Sequence, residues 1–257
     1  MADQNAVKVD RQGRLARVTL DRPPLNVLDI PSIRALNEAL VELSRSDGPD
    51  VIVLSGEGPK GFSAGVDVKD HTPDKIAPML DAFHGCFRLL ASSDRVTIAA
   101  VHGLCLGGGF ELAIACDILI CEEGTRLQVP EINLGCFPPV AVAALPERVG
   151  PQRAAEWILT GRQIPLEEAV AAGLVNRVVP RDGLPTAVME LTEALLGKSS
   201  AVLRITTRAL KNGRSARYLE ALGRAERAYH EELAATADMH EGIASYMEKR
   251  QPVWTHR

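Results

Sequence analysis

Two glutamates stand where the surrounding pattern asks for core. Glu111 follows three glycines in LGGGFELAIACDILI, Leu106 to Ile120, and Glu131 lies twenty residues later in QVPEINLG, Gln128 to Gly135. A carboxylate in an apolar run is costly to bury unless it is paired or put to use. A glycine-rich turn feeding a helix leaves backbone N–H groups unpaired at the positive end of the helix dipole. Such donors suit a negative oxygen. Glu111 falls in the first turn of that helix, where it could also serve simply to complement the dipole. A second glycine turn, FSAGVDV at 62–68, follows a strand-like run. Two turns at the ends of adjacent strands can each present one N–H, making a two-donor oxyanion hole. Two carboxylates beside such a hole can act as base and acid, provided one is held charged and the other protonated.

The elements that must position these groups read as α/β. Strand-like runs occur at 15–20, 51–56, 96–103 and 117–123. Between the first two, Asp29 can cap a helix with Pro31 in its first turn, Ile33, Leu36, Leu40 and Leu43 on one face, and Gly48 at its end. Strands alternating with helices argue for an α/β domain. From about residue 151 the pattern becomes helical, with short helices stopped by Gly161 and Gly173, a brief strand VNRVVP, and two longer helices over roughly 183–212 and 215–249. The expected organisation is an α/β core over 1–195 and a helical region over 196–257.

Composition excludes several classes. Apolar content of 46% with 24% charged residues is that of a globular protein. A net charge of −4 gives no overall pull toward nucleic acid or anionic membranes. The polar N-terminal stretch lacks the apolar core of a signal peptide, and no apolar run reaches membrane-span length. Five cysteines without a CxxC pair predict reduced thiols, a cytoplasmic location and no metal site. GEGPKG at 56–61 fits a dinucleotide-binding glycine pattern but is followed by FSAGVDVKDHTP, which has no helical periodicity. Cys136 or Ser63 as a thioesterase nucleophile has no sequence-visible histidine partner, although His71, His84 and His102 are candidates in space. Arg204, Arg208, Lys211 and Arg214 share one face of a predicted helix and suggest an RNA-binding alternative; a solvated charged face explains them equally.

Taken together, DRPPLNVLD, GFSAGVDVKD, VHGLCLGGGFELAIACD, VPEINLG, LTGRQIPLEEAVAAGLVNRVVP and EGIASYMEKRQPVW, in this order and over nearly the whole chain, resemble the crotonase (enoyl-CoA hydratase/isomerase) superfamily. The resemblance implies a spiral of ββα units, C-terminal helices that build a homotrimer or hexamer, and an acyl-CoA thioester as substrate, with CoA carried by the substrate and no separate cofactor. It implies that the amides of Val66 and Gly108 form the oxyanion hole and that Glu111 and Glu131 are the catalytic pair of a hydratase. It places Lys60, Ala64, Asp67, Lys69, Tyr246 and Lys249 along the CoA path. No nucleic-acid or membrane partner is expected. A crotonase-fold isomerase or decarboxylase using one glutamate is the alternative within the family.

The stretch CFPPVAVAALPERVG departs from most hydratases of the family. They carry a glycine whose N–H helps hold water where this chain has Pro139, which has no N–H to give. Together with FHGCFRLL, it resembles the cyclohexa-1,5-diene-1-carbonyl-CoA hydratase branch, and Phe83, Phe87, Phe137 and Pro139 are the expected pocket residues for a ring.

Overall fold

After an opening hairpin, each of three passes of the chain places one strand in each of two sheets before a helix or 3-10 turn carries it onward. The computed structural model describes residues 6–257. The hairpin β1 (Val7–Gln12) and β2 (Leu15–Leu20) opens the first sheet, and α1 (Ile30–Leu43) follows. Next come β3 (Val51–Gly56), β4 (Gly61–Ser63) and α2 (Ile76–Ser92), then β5 (Val96–Val101), β6 (Leu104–Leu106) and α3 (Gly108–Ala115). The third unit is β7 (Ile118–Glu122), β8 (Arg126–Gln128) and a 3-10 turn, Glu131–Leu134. The larger sheet runs β1-β2-β3-β5-β7-β10, with β10 at Arg177–Val179. It is parallel except for the first hairpin. The smaller sheet runs β4-β6-β8-β9, with β9 at Gln163–Ile164. This is the crotonase-type spiral.

Local chemistry explains the elements. Asp29 Oδ1 accepts from the Ser32 amide at 3.0 Å, Pro31 occupies the first turn, and Ile33, Leu36, Leu40 and Leu43 are buried, as their spacing requires. The helix ends at Leu43, ahead of Gly48. β3 and β5 are buried along nearly their whole length, as inner strands of a parallel sheet covered on both faces must be. α3 is buried almost all round, so its sequence carries no amphipathic stripe.

The second half is α4 (Pro139–Val149), α5 (Pro151–Thr160), α6 (Leu166–Ala171), α7 (Leu184–Leu196), α8 (Ser200–Glu231) and α9 (Ala237–Met247). The two expected long helices are therefore three, broken elsewhere than the sequence suggests. The chain leaves α7 at Gly197, and Ser199 takes an extended conformation before α8 begins. At Gly213, where a break was expected, α8 continues. Lys211 Nζ donates to the carbonyls of Leu90 and Arg95 at 3.2 and 3.1 Å, and Ser215 Oγ to that of Ala91 at 2.8 Å. These contacts on both sides of Gly213 lash α8 to the end of α2 and override the local preference of glycine.

α8 lies across α2 and α4 of its own chain. The cationic stripe expected on it faces largely inward. Arg204 Nε binds Asp50 at 2.6 Å, buried Lys211 pairs with Asp117 at 3.0 Å, and Arg214 approaches the same carboxylate at 3.6 Å. Only Arg208 of the four is exposed and without an ion pair among the described residues. The face that suggested RNA binding is an internal fastening. No helix among the described residues is long and apolar enough to cross a membrane.

Asp50 fastens the N-terminus of α8 to the first sheet. Its carboxylate, 1% exposed as a residue, accepts from Ser200 Oγ at 2.6 Å, Arg204 Nε at 2.6 Å and the Arg14 guanidinium. Burial alone would raise its pKa, but the bonds from Ser200, Arg14 and Arg204 prevail and hold it at about 2. Charge-assisted bonds of this kind are worth about 1.5–3 kcal/mol each. Asp50→Asn is expected to lower the unfolding free energy by roughly 2–3 kcal/mol at pH 7. Because the folded pKa is depressed, the deficit closes as pH falls from about 4 toward 2, which denaturant titrations at each pH would measure.

Candidate active site

The two glycine turns meet. Gly65 has φ +97°, and a Cβ there would lie 3.0 Å from the amide nitrogen of Gly108. Gly107 has φ +52°, and a Cβ there would lie 2.7 Å from Glu131 Oε1. Both turns therefore require a residue that accepts positive φ and tolerates close approach. Around them the chain commits its other hydrogen bonds: Leu28 N to Gly65 O, Asp67 N to Leu28 O, Gly107 N to Gln128 O, and Glu111 N to Gly107 O, at 2.8–2.9 Å. The amides of Val66 and Gly108 have no acceptor among the described residues. They are neighbouring, unspent donors on the wall of a cavity of about 540 Å³.

Both glutamates line the same cavity. Glu111 is 3% exposed, and its Oε1 accepts from the Ala141 amide at 2.8 Å, with the Val140 amide contributing as well. These are the first free donors of α4, because Pro138 and Pro139 have no N–H. Glu131 opens the 3-10 turn after Pro130 and lies against Gly107. As a residue it is half-buried, but its Oε2 is sealed from solvent and has no hydrogen-bond partner. Burial raises the pKa of Glu111 above the carboxylate range, against the pull of the α4 amides. Burial and then the charge of Glu111 raise that of Glu131 further. The pair behaves as coupled acids, one protonated while the other is charged.

The wall also gathers Phe83, Phe137 and Pro139, with Ala64 beside the turn of Gly65 and Val66. Phe87 is fully buried one helical turn on, edge-to-face with Phe83 at 4.9 Å, and belongs to the core rather than the cavity wall. Tyr246, 55% exposed, stands at the mouth with Arg250 and Pro252. Lys60, Lys69 and Lys249 are exposed and outside the cavity lining. Asp67 also lies outside it; its Oδ1 accepts from the Lys69 amide at 3.1 Å and caps the 3-10 turn Val68–Asp70.

Among the wall residues that the sequence reading did not assign to the site are Tyr229 on α8 and Ser245 on α9, while His84 on α2, named only as a spatial candidate beside a nucleophile, lines it too. The signal for His84 is a polar ring adjoining the apolar stripe Leu80, Phe83, Phe87. For Tyr229 it is an aromatic at core spacing from Leu222 and Ala225. The nucleophile alternatives do not form. Ser63 Oγ donates to Asn26 O at 2.7 Å and accepts from Gly65 N, so it braces the turn. Burial pushes the Cys136 thiol up to about 11, against a bond from Tyr229, and it has no histidine beside it. His102 Nε2 is tied to Gly58 O at 2.7 Å.

Removing one carboxyl charge should relieve the pair. Folded carboxyls with raised pKa hold protons that the unfolded chain has lost, so their cost to stability grows as pH rises above the ordinary carboxylate range. Glu131→Gln is expected to melt above the wild type at pH 8, with the gap narrowing toward pH 4 in thermal unfolding scans.

Comparison with known proteins identifies the family and the fold. The enoyl-CoA hydratase/isomerase family model matches residues 10–257. Cyclohexa-1,5-dienecarbonyl-CoA hydratase of Thauera aromatica is 36% identical over 251 residues, covering 98% of this chain and 96% of the relative. A probable enoyl-CoA hydratase of Mycobacterium bovis is 36% identical, covering 98% of each chain. The crystal structure of an enoyl-CoA hydratase from Mycobacterium avium subsp. paratuberculosis superposes with a TM-score of 0.87 at 25% identity, over 97% of this chain and 98% of that one. With its spiral of ββα units and its match over almost the full length, this chain belongs to the enoyl-CoA hydratase/isomerase family.

Proposed function

We propose that the cavity binds an acyl-CoA thioester and adds water across the double bond conjugated to its carbonyl, or removes it in reverse. One observation carries this reading: two coupled carboxyls from different elements share a cavity wall with two adjacent, unspent amides. The thioester oxygen accepts from Val66 N and Gly108 N, which stabilise the negative charge it gains as the β-carbon is attacked. Losing one such donor typically raises a barrier by about 3–4 kcal/mol. Glu111 takes a proton from water as its oxygen bonds to the β-carbon, and Glu131 delivers its proton to the α-carbon. The roles exchange on dehydration, and the proton balance of the pair is restored with each turnover.

Pro139 leaves the α4 end of the site without a free amide for water, since those of Val140 and Ala141 already hold Glu111. Water is then held by the carboxyls themselves. CoA enters as part of the substrate, and the reaction as written needs only an acid, a base and oxyanion donors. The exposed Lys60 and Lys69 are assigned to the phosphates and Tyr246 and Lys249 to the nucleotide, with Asp67 and the backbone at Ala64 along the same path.

For the acyl group we favour a cyclic conjugated dienoyl thioester. The name of the Thauera relative and the apolar wall of Phe83, Phe137 and Pro139 support this choice. Five free, buried cysteines support a cytoplasmic enzyme. The apolar side chains of Val202, Ile205 and Leu210, exposed on α8, support association of residues 196–257 into a trimer or hexamer.

The test is hydration in heavy-oxygen water with crotonyl-CoA and cyclohexa-1,5-diene-1-carbonyl-CoA. Label in the product hydroxyl is expected, with the cyclic substrate preferred. A double-bond shift without label would make the protein an isomerase, and loss of carbon dioxide a decarboxylase. Glu111→Gln and Glu131→Gln are each expected to cut turnover by roughly 10²–10⁴-fold while thioester binding persists. Near-normal turnover in either would remove that residue from the acid–base pair.

A further inference from the structure

A second pocket, of about 40 Å³, lies between α4 and α8, with the end of α2 closing it. It shares no wall residue with the larger cavity. Its volume suits about two or three water molecules, or one ion of that bulk. Arg148 of α4 lines it together with Lys211 and Arg214 of α8.

Three cations meet here, and a single carboxylate answers them. Asp117, just before β7, already accepts from the amide and hydroxyl of Thr97 at 2.9 and 2.8 Å. Lys211 Nζ binds it at 3.0 Å and donates to Leu90 O and Arg95 O as well, so all three ammonium protons are engaged. Arg214 comes only within 3.6 Å of the same carboxylate and makes no hydrogen bond among the described residues. Arg148 makes neither an ion pair nor a hydrogen bond among them. The other acid on the wall, Glu147, is held by Arg217 at 2.6 Å.

Arg148 is half-buried, and its charged end lies inside rather than in bulk water. Burial pushes up the Cys116 thiol and the Tyr218 hydroxyl, and the charge of Arg148 pulls both back, which sets the guanidinium near them. Its own pKa is lowered by burial and then by the charge of Arg214, which Asp117 offsets only in part. Two like-charged forks thus converge on one pocket with their N–H donors free. Charges withdrawn from water without a counter-charge are destabilising. A guanidinium that only fastened helices would engage its fork inside the fold. Arg204, earlier on α8, does so, binding Asp50 and the carbonyls of Ser46 and Gly48.

We propose that Arg148 and Arg214 form a binding site for a small oxyanion from solution, of carboxylate or phosphate size, which bridges α4 to α8. The planar fork of each guanidinium matches a pair of oxygens, so one ion takes bonds from both. Lys211, its protons engaged elsewhere, adds positive field without contact. A halide has no pair of oxygens to offer and binds less well. The site is separate from the acyl-CoA reading and stands or falls without it.

Thermal unfolding at constant ionic strength, with chloride exchanged for acetate or phosphate at low millimolar concentration, tests this. Wild-type protein is expected to show a saturable rise in Tm with at least one of the two oxyanions. A crystal soaked in selenate, a tetrahedral oxyanion, should place its anomalous peak within hydrogen-bonding reach of both guanidinium groups. Arg148→Met and Arg214→Met keep the apolar stems, and each is expected to weaken oxyanion binding in calorimetry by about tenfold or more. An arginine with a structural role alone would lower Tm equally at every anion concentration and leave the rise itself unchanged. Should Arg148→Met fail to fold, Arg214→Met and the soaked wild-type crystal decide. No saturable rise, a rise that the variants retain, or a selenate peak absent from the pocket would each overturn the proposal.

Discussion

Two carboxyls withdrawn from water, each raising the proton affinity of the other, are the constraint around which the rest is arranged. Either alone would be a liability in a core. Together they can share one proton, and the fold meets the cost by giving Glu111 two amide donors from α4 and Glu131 only its own. That asymmetry decides which partner holds charge more readily. Glu131, with one oxygen unpartnered and its pKa pushed well up, holds its proton as the proposed donor must.

The spiral creates this arrangement through repetition. Three successive passes cross from the larger sheet to the smaller one. The first supplies the turn with Val66, the second the turn with Gly108 and the helix with Glu111, and the third the 3-10 turn with Glu131. Residues distant in the chain converge because the passes are stacked in register, with β4, β6 and β8 paired parallel. The glycines matter because the passes lie too close for side chains. At Gly107 even a methyl group would meet the carboxyl of Glu131. The geometry of the proposed site and the sheet spacing are one requirement here.

The first two-thirds of the chain was largely legible. Strand runs, the capped α1 and the two glutamates all carry their signals within a short window. Less legible was everything decided across long separations. Charges on α8 that read as a solvated or nucleic-acid face turn inward, because Asp50 and Asp117 on the first sheet draw them in. Gly213 reads as a break, yet flanking bonds to α2 hold the helix through it. Phe83 and Phe87 share a helical face, yet only the first reaches the cavity, a difference of depth that periodicity cannot encode. His84 finds its polar partner in Glu226, a residue far along the chain.

The closing wall of the cavity comes from the last segments of the chain, through Tyr229, Ser245 and Tyr246. During synthesis the acid pair and the oxyanion turns therefore emerge long before the helices that shelter them. Until α8 and α9 settle, the cavity that both glutamates line lacks one of its walls. The enclosure of the proposed acid and base is complete only once α9 is in place. Chains cut short near their end would carry every reactive group and still lack the dry enclosure that makes those groups an acid and a base.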